Sequence, residues 1–211
     1  MIKAVIFDMD GVLVDSEPVY FERQLRFMKA LGVTPATTNI QDYVGKPSDV
    51  VWADAIPDLG DRQRVRQAFE ASVVTEPIDF RPIVNPGIPE LLAFLKANHY
   101  RTALASAGPL AGVQRMLAET DLKPYFDSVI SGETITRNKP DPQIYLESLA
   151  AIDVAPEEGL AVEDSLTGIT AAKRAGMRAW AIKPRAYQLD QRLADFVAVD
   201  ANEIRMHLMV K

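Results

Sequence analysis

Two aspartates separated by one residue follow an apolar run near the start of the chain. In the stretch AVIFDMDGVLVDSE, residues 4–17, four apolar residues lead to Asp8 and Asp10, and Gly11 follows. An aspartate carboxylate can attack phosphorus as a nucleophile, and a neighbouring carboxyl group can protonate the leaving oxygen. Because residues i and i+2 of a strand point to the same face, both side chains are expected to reach one phosphate. The spacing therefore predicts phosphoryl transfer, with Asp8 as the nucleophile and Asp10 as the general acid.

Other polar residues follow apolar runs farther along the chain. They are Ser106 at the end of TALAS, Lys139 in the loop TRNKPDP, and Glu163 and Asp164 at the end of GLAVED. In open parallel sheets, ligands bind outside the carboxyl ends of the strands, so these residues are expected to meet Asp8 there. A lysine and a hydroxyl group at that edge would bind the equatorial phosphate oxygens, whose charge must be neutralised in the transition state.

The predicted site holds four carboxylates, those of Asp8, Asp10, Glu163 and Asp164. Like charges a few Å apart repel, and without a partner one of them would be driven to protonate. A divalent cation removes that cost. The site motifs contain no histidine and the chain has no cysteine, and hard oxygen ligands of this kind favour Mg²⁺. We expect Mg²⁺ as the cofactor and a small phosphorylated metabolite as the partner.

The apolar runs that carry these residues have the composition of buried parallel strands. Five are recognised, at residues 4–8, 102–106, 128–131, 159–164 and 179–183. Apolar residues at helical spacing lie between most of them, at residues 88–97, 110–117, 141–150 and 165–175. Alternating strands and helices predict an α/β fold with a doubly wound parallel sheet and right-handed crossovers.

A stretch without a convincing buried strand interrupts this alternation. It has helical spacing at Phe21, Leu25 and Met28, and prolines mark its far edge. We predict a helical insertion at residues 15–81. The α/β core domain would then comprise residues 1–14 and 82–211.

Charge and composition narrow the possible partners. The 211 residues include 23 Lys and Arg against 29 Asp and Glu, and the resulting net charge of −6 would repel nucleic acid. No apolar run approaches the ~18 residues of a membrane span, and no secretory leader is recognised at the N-terminus. The absence of cysteine fits a reducing compartment. We expect a cytoplasmic monomer that binds neither nucleic acid nor membrane.

Four stretches, in order, resemble the motifs of the haloacid dehalogenase superfamily, in its phosphatase and β-phosphoglucomutase-like branch. They are DMDGVLVDS, LASAG, KPDPQIY and VEDSLTGITAAKRAGM. The resemblance implies a Rossmann-like core, with a helical cap domain between the first and second motifs. It also implies that Asp8 is a nucleophile and metal ligand, and that Asp10 acts as acid and then base while its backbone carbonyl binds the metal. The matching phosphate-binding positions are Ser106, the backbone N–H of Ala107, and Lys139; the matching metal-binding acids are Glu163 and Asp164.

The resemblance assigns substrate choice to the cap. Gly45, Lys46 and Ser48 in DYVGKPSDVV match the family's substrate loop. The chain has Ser48 where the mutases have an arginine, and Tyr20 where they have a histidine in the first cap helix. These departures weaken a second phosphate site. We therefore expect a phosphatase that acts through an aspartyl phosphate, with a β-phosphoglucomutase-type mutase as the alternative.

A module that carries an aspartyl phosphate as a signal is a third interpretation. Receiver domains also have an aspartate cluster, a hydroxyl residue and a lysine at strand ends. A long-lived phosphoaspartate needs neither an acid at the position of Asp10 nor a helical cap, so this interpretation is less favoured. Stable self-phosphorylation without turnover would identify such a module.

Overall fold

The computed structural model describes residues 1–46 and 48–210, except for the side chains of Val73 and Val74. The described residues form six strands: β1 Ala4–Phe7, β2 Arg101–Ser106, β3 Ser128–Ser131, β4 Gly159–Glu163, β5 Arg178–Ile182 and β6 Phe196–Ala198. They also form eight α-helices: α1 Glu17–Ala30, α2 Ser48–Ala55, α3 Leu59–Thr75, α4 Ile88–Ala97, α5 Leu110–Glu119, α6 Gln143–Ala151, α7 Leu166–Arg174 and α8 Ala201–Met209. None of the described helices is both long and apolar enough to cross a bilayer.

The strands form one parallel sheet in the order β3-β2-β1-β4-β5-β6. The chain winds outward from β1 through β2 to β3, then returns to the other side of β1 for β4, so the order reverses between β1 and β4. In such sheets the crevice at this reversal is where ligands bind. The predicted α/β fold with a doubly wound parallel sheet is confirmed.

Burial explains why the central strand forms where it does. All four residues of β1 are fully buried, and Phe7 lies opposite Leu104 of β2 and Val162 of β4. Helices cover the faces of the sheet, so continuous apolar runs without alternation are the expected strand pattern.

Three details of the predicted elements are wrong. Strand β6 is missing from the prediction because it has only three residues and one of them, Val197, is exposed; helix α8, which follows it, is missing as well. Strand β3 is an edge strand whose first three residues are only half-buried, whereas a fully buried strand was expected. Helix α7 begins at Leu166, because Ser165 caps it by accepting a hydrogen bond from Gly168 N at 3.1 Å.

The chain divides into two compact units. The first, which we call the sheet unit, comprises Met1–Asp15, Phe80–Pro184 and Leu189–Lys211. The second, which we call the helical unit, comprises Ser16–Asp79 and Arg185–Gln188. The segment Arg185–Gln188 is a part of the helical unit that the sequence did not indicate, since it lies far from the predicted insertion along the chain.

The helical unit has its own apolar core between α1, α2 and α3. Trp52 is buried there and its ring meets that of Phe69 edge-on, with centroids 5.4 Å apart. The segment Arg185–Gln188 joins this unit through a reciprocal pair of hydrogen bonds. Gln41 Nε2 donates to Gln188 O at 2.8 Å, and Gln188 N donates to Gln41 Oε1 at 2.9 Å.

Candidate functional site

The carboxyl ends of β1 and β4 bring the first acidic residues together. Asp8 follows β1 directly, and its N–H donates to Val162 O of β4 at 3.0 Å, which extends the ladder by one residue. The chain then turns, because Met9 O accepts hydrogen bonds from Leu13 N and Val14 N. Asp10 lies in this turn, so the expectation that both aspartates share one face of a strand is wrong. Its position depends on the turn that follows β1.

Gly11 allows a close approach at this turn. It adopts a φ of 76°, in the left-handed region that glycine enters without a steric penalty. A Cβ at this position would lie 2.1 Å from Asp164 Oδ2. The absence of a side chain at Gly11 therefore lets the carboxylate of Asp164 pack against the turn that carries Asp10.

Lys139 is the cation at the centre of the site. Its Nζ donates to Asp8 Oδ1 at 2.6 Å, to Glu163 Oε1 at 2.7 Å and to Ala105 O at 3.0 Å. The side chain is only 7% exposed, so these contacts lie in a largely water-free environment. All three ammonium protons have a protein acceptor. The loop after β3 thus delivers one lysine that links the ends of β1, β2 and β4.

Glu163 is the most deeply buried of the acidic residues, with a side chain that is 1% exposed. Its Oε1 accepts from Lys139 Nζ and from the hydroxyl of Tyr145, the latter at 2.5 Å. Its Oε2 accepts from Asp164 N at 3.2 Å and from Ser165 Oγ at 3.3 Å. Both carboxylate oxygens are therefore held by two donors each.

Three carboxylates surround a volume that suits a cation. Asp8, Glu163 and Asp164 each offer an oxygen, and these atoms lie within 4.8 Å of one another. Lys139 supplies one positive charge against these three negative charges. An all-oxygen donor set with surplus negative charge fits a hard divalent cation such as Mg²⁺. The backbone at Asp164 is fixed from the other side by Gln191, whose Nε2 donates to Asp164 O at 2.6 Å and to Ile182 O at 2.8 Å.

Burial and the neighbouring charges together change the protonation of the site. The pKa of Asp8 is raised from 3.8 to about 7, mainly by burial; Lys139 lowers it, and the charges of Glu163 and Asp10 add to the increase. Burial lowers the pKa of Lys139, but the carboxylates of Asp8 and Glu163 more than offset this, so it stays well above its usual range. Lys139 is therefore a permanent cation.

The predicted phosphate-binding residues Ser106 and Ala107 lie at the carboxyl end of β2, which is the neighbour of β1 in the sheet. Ser106 is the last residue of β2 and is buried, and its Oγ accepts from Gly108 N at 3.1 Å. Ala107 is the next residue and is exposed. Among the described residues, hydrogen bonds connect Asp8, Lys139 and Glu163 to one another, whereas the Ser106 hydroxyl is bonded within its own loop. Phosphate binding at Ser106 and Ala107 stays a prediction.

The four predicted substrate residues of the cap belong to the helical unit. Gly45 has a φ of 71°, Ser48 is the first residue of α2, and Tyr20 lies on α1. Lys46 forms an exposed ion pair with Asp54, with Nζ and Oδ2 2.9 Å apart. A role of these residues in substrate choice stays a prediction.

Three residues of the site were not assigned a role from the sequence. Tyr145 closes the motif KPDPQIY and Gly168 lies in VEDSLTGI, so both were in view, but only the structure reveals that they contact Glu163. Gln191 lies 27 residues from Asp164, in a stretch without a recognisable pattern. No signal in the sequence indicates its hydrogen bonds.

Comparison with known proteins gives consistent matches over nearly the whole chain. A model of the family described as haloacid dehalogenase-like hydrolases matches residues 5–182. Hexitol phosphatase B of Escherichia coli (strain K12) is 37% identical over 204 residues, which cover 94% of this chain and 90% of that protein. The phosphorylated carbohydrates phosphatase of Thermotoga maritima is 35% identical over 182 residues, which cover 83% of this chain and 82% of that protein.

A solved structure extends these matches to three dimensions. The crystal structure of CbbY from Rhodobacter sphaeroides in complex with phosphate superposes with a TM-score of 0.70 at 26% identity, covering 97% of this chain and 96% of that one. The resemblance noted in the four motifs is thereby confirmed. On the family model, the sequence identity and the fold together, this chain is an enzyme that belongs to the haloacid dehalogenase-like hydrolases.

Proposed function

We propose that the protein is a Mg²⁺-dependent phosphatase that hydrolyses small phosphate monoesters of the sugar or polyol phosphate class. The observation that carries this proposal is the buried ion-pair network in which Lys139 links Asp8 to Glu163 beside Asp164. The relatives support the reaction class, since two of them bear the names hexitol phosphatase and phosphorylated carbohydrates phosphatase. A cytoplasmic location and a monomeric state remain part of the same proposal.

In the first half of the reaction, Asp8 attacks phosphorus and forms an aspartyl phosphate. The bond between phosphorus and the ester oxygen breaks, and Asp10 gives its proton to that oxygen, which leaves as an alcohol. Lys139 fixes the carboxylate of Asp8 through the 2.6 Å hydrogen bond and neutralises charge on the transferring phosphoryl group. A buried cation is more effective here than an exposed one because little water screens it.

In the second half, a water molecule attacks phosphorus and Asp10 takes its proton. The bond between phosphorus and Asp8 then breaks, which releases inorganic phosphate and restores the Asp8 carboxylate. Asp10 ends the cycle protonated and ready to act as an acid again. Both half-reactions thus use the same two aspartates.

The carboxylates of Asp8, Glu163 and Asp164 would hold the Mg²⁺ ion. Bound Mg²⁺ supplies positive charge to the phosphate oxygens and cancels the repulsion between these carboxylates. The carboxylate of Glu163 accepts hydrogen bonds from Tyr145 and Ser165, and Gln191 fixes the backbone of Asp164 by donating to its carbonyl oxygen.

Stabilisation by Mg²⁺ is expected to increase with pH. The raised pKa of Asp8 means that the metal-free folded protein holds a proton that the unfolded chain releases near pH 4. Its contribution to stability is therefore present at low pH and lost as the pH rises through about 7. Because Mg²⁺ requires ionised Asp8, it competes with this proton in acid.

Thermal unfolding with and without Mg²⁺ measures this effect, at about pH 5.5 and about pH 8. We expect the larger increase in Tm at the higher pH. The Asp8→Asn variant has no proton to lose at this position, so its response to Mg²⁺ should vary less between the two pH values. Equal increases in Tm for the parent protein at both pH values would contradict the assignment of Asp8 to the metal site.

The proposed activity is tested by ³¹P NMR of the protein with Mg²⁺ and a pool of phosphate esters. The pool contains hexitol phosphates, sugar phosphates, phosphoglycolate, and β-glucose 1-phosphate with a trace of glucose 1,6-bisphosphate. Growth of the inorganic phosphate signal supports the phosphatase, and the ester consumed fastest gives its substrate class. Conversion of β-glucose 1-phosphate to glucose 6-phosphate without phosphate release would identify a mutase. A stable phosphorylated protein without turnover would identify a signalling module.

A further inference from the structure

Tyr145 contacts both members of the Lys139–Glu163 ion pair, and it takes no direct part in either half of the proposed reaction. The residue is fully buried on α6, and its hydroxyl donates to Glu163 Oε1 at 2.5 Å. Its ring faces Lys139, whose Nζ lies 5.1 Å from the ring centroid. One side chain thus contacts the carboxylate through a hydrogen bond and the ammonium group through its aromatic face.

Glu163 depends on this hydroxyl because its carboxylate has no access to water. Its Oε1 accepts hydrogen bonds from Lys139 and Tyr145, and its Oε2 accepts from Asp164 N and Ser165 Oγ. A buried carboxylate oxygen that loses its donor bears the full desolvation penalty. The orientation of Glu163 is therefore defined by the set of donors that remains in place during the reaction.

Lys139 is the donor that has to change partners. All three of its protons are engaged, by Asp8, Glu163 and Ala105 O. A phosphate oxygen can receive a hydrogen bond from Lys139 only if one of these acceptors gives it up. If Glu163 gives it up, the hydroxyl of Tyr145 is the donor left on Oε1.

The contact between Lys139 and the ring of Tyr145 allows Lys139 to exchange one hydrogen-bond acceptor for another. Attraction between an ammonium group and a ring face has little dependence on the direction of the N–H bonds. Nζ can therefore rotate its protons from a carboxylate toward a phosphate oxygen without losing the contact with Tyr145. A hydrogen-bond acceptor in place of the ring would bind one of those protons.

We propose that Tyr145 is a positioning residue: its hydroxyl holds Glu163 and its ring holds Lys139 while Lys139 exchanges a carboxylate for a phosphate oxygen. This inference rests on the proposed function, since it requires phosphate to bind beside Asp8. Tyr145 acts through its two neighbours and does not touch the substrate. It therefore governs metal affinity and turnover more than substrate affinity.

The Tyr145→Phe variant removes the hydroxyl and keeps the buried ring. Mg²⁺ affinity is measured by calorimetry without substrate, and kcat and KM are measured with p-nitrophenyl phosphate. Loss of a residue that orients a metal ligand typically changes metal affinity or activity by 10–100-fold. We expect the Kd for Mg²⁺ to rise and kcat to fall by about tenfold each, with KM changed by less than about twofold.

Ser148→Ala is the matched control on the same helix. Ser148 is also fully buried, and its hydroxyl donates to the backbone carbonyl of Ile144 at 2.8 Å. This variant loses a buried hydroxyl hydrogen bond that has no connection with Glu163 or Lys139. We expect it to bind Mg²⁺ and turn over substrate as the parent protein does, with a cooperative thermal transition in both variants.

Failure of this inference and failure of the proposed function would give different experimental results. If the parent protein binds Mg²⁺ and releases phosphate but Tyr145→Phe matches Ser148→Ala in both Kd and kcat, Tyr145 is purely structural and this inference is overturned alone. If the parent protein itself neither binds Mg²⁺ nor hydrolyses p-nitrophenyl phosphate, the proposed function fails and this inference fails with it.

Discussion

The Asp8→Asn variant should release no measurable phosphate from esters that the parent protein hydrolyses, with kcat lower by about 10⁴-fold or more. An asparagine amide is a far poorer nucleophile toward phosphorus than a carboxylate, so the aspartyl phosphate cannot form. Phosphate release from the fastest ester of the NMR pool is the measurement. Intact-mass analysis after incubation with the ester should detect no added phosphoryl group.

The same Asp8→Asn substitution should leave the stability of the metal-free protein unchanged or increase it. At about pH 8 the ionised Asp8 lies among other carboxylates, and its raised pKa means that this ionisation lowers the stability of the metal-free fold. Asparagine removes that charge, so the Tm of the metal-free variant should equal or exceed that of the parent protein. An active-site residue that costs stability is a common compromise in enzymes.

Asp153→Asn is the control for the same chemical change. Asp153 is exposed and has a φ of 55°, a left-handed conformation that asparagine also adopts readily. Its replacement should leave kcat unchanged. If Asp8→Asn retains more than about 1% of the parent kcat, Asp8 is not the nucleophile and the proposed mechanism is wrong.

The second large effect concerns Gly168, in the first turn of α7. A Cβ there would lie 1.9 Å from Glu163 Oε1 and 2.1 Å from Oε2. Glu163 has no room to move without giving up its hydrogen bonds to Lys139 and Tyr145. Gly168→Ala should therefore destabilise the fold by about 3–5 kcal/mol, the usual result of disrupting a buried ion pair.

Gly112→Ala is the matched control, because Gly112 also lies within a helix, α5, but has open space where a side chain would go. A Cβ added there would meet no atom of the described residues within 4 Å, apart from its own helix backbone and chain neighbours. The better helix propensity of alanine should stabilise the protein by up to about 1 kcal/mol. In a protein of this size Gly168→Ala should lower Tm by roughly 6–20 °C, and Gly112→Ala should raise it by roughly 2–4 °C. A change in Tm of the same sign and size for both would show that Glu163 tolerates displacement.

The sheet and the principal charged residues were predictable because their signals are local. The apolar runs mark β1, β2 and β4, and the polar residues at their ends have to meet because the carboxyl ends of parallel strands share one edge. The helix at Ile88–Ala97 has a clear apolar face, and its predicted limits are those observed. Where several weak local signals agree with the global fold, the sequence is informative.

The parts that could not be predicted depend on contacts between distant residues. Strand β6 is short and half-exposed, so its three residues carry no distinctive pattern. Gln191 binds Asp164 O through a side chain in an irregular loop, and nothing in its neighbours indicates this. Asp10 was expected on a strand and lies in a turn, because the hydrogen bonds to Met9 O end the strand early. Such details follow from tertiary geometry.

The central position of β1 has a consequence for how the chain is made. This strand leaves the ribosome first, yet its two neighbours in the sheet begin only at Arg101 and Gly159. At about 5–20 residues per second, its second partner is synthesised roughly 8–30 seconds after it. The apolar segment AVIF therefore lacks at least one of its two partner strands through most of translation, in a nascent chain that is prone to aggregate. The strand that positions the proposed nucleophile thus needs protection from premature association in the newborn protein.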